Sequence, residues 1–170
     1  IDAEQLITSS GNVDIKSAGN MTVTGGITTS GTIDLESTDG VLEIDATTGT
    51  TVASTGATIV LKGDSVDIGG GPIETAVSVV NGQLKIDSSK ADINIGAQVS
   101  SGVTGTSITS KASLLTTEEI SSIGIVDLKA SDNMTISGGI SAGNITADAG
   151  DTLTINGDPV LDPVTTGAGA

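Results

Sequence analysis

The sequence predicts an all-β fold, an elongated β-helix or solenoid of short strands, from three observations. The 170 residues hold 24 glycines but no Phe, Tyr, Trp, Cys or His. Aliphatic residues recur in couplets one residue apart, the period of a strand with one buried face. The stretch VDIKSAGNMTVTGGI, Val13 to Ile27, returns as VDLKASDNMTISGGI, Val126 to Ile140, with nine of fifteen residues identical at an offset of 113.

A core without aromatic rings must be filled by Val, Ile, Leu, Ala and Met. These side chains fill a narrow, layered core better than a wide spherical one, because rings supply the large buried areas of ordinary globular domains. β-branched residues and Thr suit a pleated surface and penalise helices. Charge is one-sided, with 21 acidic residues against 6 basic and a net charge of −15. That balance argues against gripping nucleic acid or an anionic membrane, both of which need basic patches. No run of about 18 apolar residues exists, so no transmembrane helix is expected. The absence of cysteine removes any disulfide framework or thiol nucleophile. The chain opens at Ile1 with no signal-peptide pattern, which reads as a processed product or fragment.

In chain order the couplets are Val13/Ile15, Met21/Val23, Ile33/Leu35, Leu42/Ile44, Ile59/Leu61, Val66/Ile68, Val77/Val79, Leu84/Ile86, Ile93/Ile95, Val126/Leu128, Met134/Ile136 and Leu153/Ile155. Between them lie Gly, Ser, Thr, Asn and Asp, the residues that turn a chain. The first two couplets sit in register eight residues apart, GNVDIKSA from Gly11 and GNMTVTGG from Gly19. Each unit places two apolar side chains inward and the residue between them outward. From Ile108 the steps to Leu114, Ile120 and Val126 are each six residues, which predicts a change in wall geometry there. Ser113 to Ser122, SLLTTEEISS, is the one place where a short helix competes with a strand.

A short unit is thus nested inside a long duplication, the mark of an array whose units bury their apolar faces against one another. A β-sandwich is the competing reading, although its strands should be more varied and its core would rarely lack aromatics. The expected organisation is a first β-helical segment over 1–68, a Gly-rich break at 69–76, a second segment over 77–158 and a Pro/Gly-containing tail or linker at 159–170.

The pattern Gly-x-apolar-x-apolar in GNVDIKSAGNMTVTGG, and the later NMTISGGISAGNITADAGDTLTINGDPV, resembles the octapeptide repeat of the trimeric β-helix in phage tail and baseplate spikes and type VI secretion tip proteins. Filamentous-haemagglutinin-type adhesins and bactofilins use similar vocabulary. The spike resemblance implies an intertwined homotrimer, a puncturing or probing rod, and partners among tail, baseplate or fibre proteins and a host cell envelope. The His-x-His metal apex of many such spikes is impossible in a chain without histidine. Geometry offers two forms. One strand per octapeptide on each face of a trimer gives a shaft on the order of 100 Å, whereas one chain winding alone at about 20 to 24 residues per turn gives a stub near 40 Å.

Chemistry is sparse. Asp14, Asp34, Glu43, Asp67 and Asp127 sit inside couplets, where outward carboxylate ladders for Ca²⁺ compete with a solvated face that prevents aggregation. Glu118 and Glu119 are adjacent and point to opposite faces of a strand. Asp87 and Asp92 are a distant candidate pair for glycoside hydrolysis, lacking aromatic sugar platforms. GGGP at Gly69 to Pro72 lacks the Lys-Ser/Thr and the helix of a phosphate loop. The triplets at Asn20, Asn133 and Asn144 match the glycosylation pattern but also mark turns.

The reading is therefore non-enzymatic, with no cofactor and no metal. Function resides in core residues that carry shape, namely Val13, Ile15, Met21, Val23, Ile33, Leu35, Val126, Leu128, Met134 and Ile136. The expected role is the shaft of a phage tail or contractile-injection spike or fibre, on a virion tail or at a cell surface. A secreted β-solenoid adhesin or filament-forming surface protein is the alternative.

Overall fold

The computed structural model describes residues 1–45, 51–69 and 76–156, and the backbone of 164–166. The first turn comprises β1 (Asp2–Ala3), β2 (Ile7–Ser9) and β3 (Val13–Ser17). The second has β4 (Met21–Val23), β5 (Ile27–Thr29) and β6 (Ile33–Ser37), and the third β7 (Val41–Asp45), β8 (Val52–Ser54) and β9 (Ile59–Gly63). Next come β10 (Ser65–Gly69), β11 (Val77–Val79) and β12 (Gln83–Ser88), then β13 (Ile93–Ile95), β14 (Val99–Ser101) and β15 (Gly105–Ser110). The sixth turn holds β16 (Leu114–Thr116), β17 (Ile120–Ser122) and β18 (Ile125–Ala130), and the seventh β19 (Met134–Ile136), β20 (Ile140–Ser141) and β21 (Asn144–Ala149). β22 (Leu153–Ile155) and β23 (Val164–Thr166) begin another.

From β1 to β22 each strand pairs in parallel with the strand three places along the chain, and β23 pairs with β21, so the turns stack into three sheets of eight, seven and eight strands. Sheet A starts at β1, sheet B at β2 and sheet C at β3. At about 4.8 Å per step, seven turns rise roughly 30 Å. Within each ladder the described strands lie on preceding and following turns of the same chain. The single-chain winding is the geometry adopted. Val126 pairs with Ile145 and Val66 with Ile93, so turns range from 19 to 27 residues.

Stacking puts like on like. Met21, Leu42, Val66, Ile93, Leu114 and Met134 follow one another in a column on sheet A, all buried. Each such aliphatic side chain contributes about 1.5–3 kcal/mol by leaving water. A wound sheet has one dry face and one wet one, so its strands alternate apolar and polar instead of reading as the continuous apolar runs of parallel sheets covered on both sides.

The corners explain the buried hydroxyls. The Ser54 hydroxyl donates to the Gly31 carbonyl at 2.7 Å and Ser37 to Gly19 at 2.8 Å, while Thr29 donates to Gly11. Each hydroxyl satisfies a carbonyl of the turn below, which a buried corner needs. Side-chain caps do the reverse. Asn12, Asn20 and Asp92 accept from the backbone N–H groups of Thr32, Val41 and Ser113, each one turn along. Asn20 therefore marks a turn into a strand.

Ile108, Leu114, Ile120 and Val126 fall on sheets C, A, B and C in succession. The six-residue step is one compact turn with one strand per face. Ser113 to Ser122 forms β16 and β17 with a short connection, and no helix occurs among the described residues. The offset of 113 maps β2 to β5 onto β17 to β20 on the same three faces. All three ladders run through both expected segments, 1–68 and 77–158. Residues 70–75 of the expected break, with most of GGGP, lie outside the described residues, as does the expected tail apart from the backbone of β23, which pairs with β21.

Candidate functional surface

The residues expected to carry shape face the core. Met21, Val23, Ile33, Leu35, Val126, Leu128, Met134 and Ile136 are buried, and Val13 nearly so. Ile15 is half-buried, because β3 ends its ladder and has no strand beneath it. The counterpart of Ile15 in the duplication, Leu128, has strands on both sides and is fully buried.

The outward side chains divide the prism by charge. On sheet C, Lys16, Glu36, Lys62, Asp87, Thr109, Lys129 and Asp148 occupy one outward column in register. Lys16 lies 3.3 Å from Glu36. Along β18, Lys129 reaches Asp127, its neighbour on the same face, at 3.0 Å. Water screens such exposed pairs, so each adds little stability. A groove of about 330 Å³ opens beside this column between Glu36, Lys62, Asp87 and Lys111. The six lysines all lie on sheet C or at the corner between sheet C and sheet A.

At that corner Lys90 Nζ sits 3.0 Å from Asp64 and 3.6 Å from Asp39. The hydrogen bond from Lys90, helped by Ser89, holds the Asp64 carboxyl below the usual carboxylate range, and the same bond raises Lys90. Lys90 is exposed and Asp64 lies half-buried at the surface, where solvent screening leaves the cluster adding little stability.

Sheet A carries acids and no lysine. Its outward column runs Asp2, Thr22, Glu43, Asp67, Asn94, Leu115, Thr135 and Thr154. Burial pushes the Asp67 carboxyl up. Sheet B carries no charged residue in any of its strands, and its outward column is Thr8, Thr28, Ala53, Ser78, Ser100, Ser121 and Ser141.

The acidic positions are dispersed by this partition. Asp14 and Asp34 are neighbours, while Val60, Lys85 and Ser107 separate them from Asp127. Glu43 and Asp67 belong to another face. Among the described residues no three carboxylates gather into a metal-holding group. Asp87 points outward on β12, whereas Asp92 caps the next turn through Ser113. Glu118 and Glu119 lie at the corner between β16 and β17, where Glu119 accepts a hydrogen bond from Gln98 at 2.9 Å.

Apart from Val77/Val79, the neutral third face escaped the couplet pattern. Its strands pair one aliphatic residue with an inward hydroxyl, as in Ile27-Thr28-Thr29 and Val52-Ala53-Ser54. An apolar-x-Ser/Thr triplet followed by a turn is the signal that would have found it. Scans against protein-family models, curated proteins and solved structures match nothing to this chain.

Proposed function

We propose that the chain is a stiff stalk segment of an extracellular β-solenoid appendage, of the adhesin or surface-filament kind, with a mechanical and not a catalytic role. The observation that carries this reading is the winding of one chain through three uninterrupted parallel ladders. Bending such a prism would stretch backbone hydrogen bonds on one face and crush core layers on another, and close-packed interiors resist both. The acidic sheet A resists contact between stalks through that face.

The shaft of a phage tail or injection spike is the second reading, favoured by the octapeptide register of Gly11 to Gly26. Immunogold labelling with an antibody to this chain, on intact cells and on phage particles from one culture, separates the two. Label on fibres at the cell surface supports the stalk. Label on virion tails replaces it with the shaft, and label confined to the cell interior overturns both.

A further inference from the structure

Sheet B and the corner that leads from it to sheet C form a continuous surface without a single charged residue across seven turns, in a chain of net charge −15. A second feature coincides with it. Of the large apolar side chains left exposed, Val80 (55%), Val103 (66%) and Ile123 (72%) lie on that corner in three consecutive turns, and Ile125 (51%) opens β18 beside them. The equivalent corner in the first three turns is polar, with Ser10, Thr32 and Thr55. Exposed apolar ridges of this kind mark interaction sites.

We propose that this surface is a self-association face and that its occupant is the same face of a second copy. Charge selects the occupant. Two copies meeting through sheet A would oppose acidic columns, and sheet C against either charged face would bury ion pairs at a desolvation cost. A cationic partner would instead seek sheet A, which is acidic and free of lysine. Size agrees as well. Seven strands rise roughly 30 Å and the strand plus corner span about 20 Å, on the order of 600 Å² before side-chain relief. A standard interface buries about 800 Å² per partner. A face that meets itself is isologous and closes at two chains, with the prisms side by side. The inference stands on the charge partition and does not rest on the stalk reading.

Sedimentation equilibrium on the full chain tests it. The expected result is a species of twice the 16.5 kDa chain mass. Val103→Glu and Ile123→Glu, at exposed corner positions, should each weaken the dimer about tenfold or more while leaving the far-ultraviolet circular dichroism unchanged. Thr135→Glu on sheet A should leave the dimer intact. A monomer at every concentration, a trimer, or a dimer indifferent to both corner variants would overturn the proposal.

Discussion

Asp67 stands directly against Glu43 across the ladder between β7 and β10, two carboxylates at one outward register position. Like charges in this position oppose each other, and burial holds the Asp67 carboxyl above its ordinary value of 3.8. A carboxyl raised on folding binds more protons in the native state, so its contribution to stability falls as pH rises from 3.8 through the folded value. Asp67→Asn should therefore stabilise the chain by about 0.2–1 kcal/mol at neutral pH. Urea unfolding should show that gain shrinking as pH falls through the folded value and gone below 3.8. An equal gain in acid would contradict the assignment.

Thr116 lies in the core between Ile95 and Ile136 on sheet A, and its buried hydroxyl finds no hydrogen-bond partner in the protein. The buried hydroxyls of Thr29, Ser37 and Ser54 reach a carbonyl of an adjacent turn; this one faces aliphatic neighbours. Thr116→Val keeps the shape and removes the stranded group, with an expected gain of about 1–3 kcal/mol. Thermal unfolding measures it, and a lower midpoint would show that the hydroxyl is satisfied in solution.

Ile7 and Ile120 are equivalent across the duplication but not in burial. Ile120 has β14 below and β20 above, whereas β2 ends its ladder and leaves Ile7 half-buried. Ile120→Ala should cost about 2–5 kcal/mol through lost transfer energy and a cavity. Ile7→Ala should cost less than half as much. Equal losses in denaturant midpoints would mean that Ile7 is covered as completely as Ile120.

Gly105 opens β15 at a φ of 102°, and a Cβ there would collide with the carbonyl oxygen of Ile125 one turn along. Neither the backbone region nor the space admits a side chain, so Gly105→Ala should destabilise by about 1–3 kcal/mol or more. At Gly139 the nearest atom to an added Cβ is Glu119 Cγ at 3.8 Å. Gly139→Ala should be near neutral, and a reversed order of melting temperatures would refute the close packing of corners.

Couplets such as Ile33/Leu35 and Leu42/Ile44 made sheets C and A legible, because both inward positions are aliphatic and period two survives. Sheet B was legible only at Val77/Val79. Elsewhere its second inward position is a hydroxyl residue, as at Thr29, Ser54 and Ser101, which reads as a turn residue until its partner in another turn is known. Missing every third face also left the number of chains open, since two visible faces fit an octapeptide of an intertwined shaft as well as part of a three-faced turn. The surface pattern was hidden for the same reason. Glu36 and Lys62 become neighbours only when winding sets their register, and the uncharged face exists only once seven separated triplets are stacked.

One chain winds alone, with each strand lying on its own previous turn. Asn94 and Leu115 are outward register partners on β13 and β16, far from sheet B, and the chain has no cysteine of its own. Directly paired strand positions lie within the span that a disulfide bridges. Asn94→Cys together with Leu115→Cys, oxidised in dilute solution, should give an intrachain disulfide and a single-chain band on a non-reducing denaturing gel. Products linked between chains, as three interwound molecules would yield, or two thiols that stay free, would contradict single-chain winding.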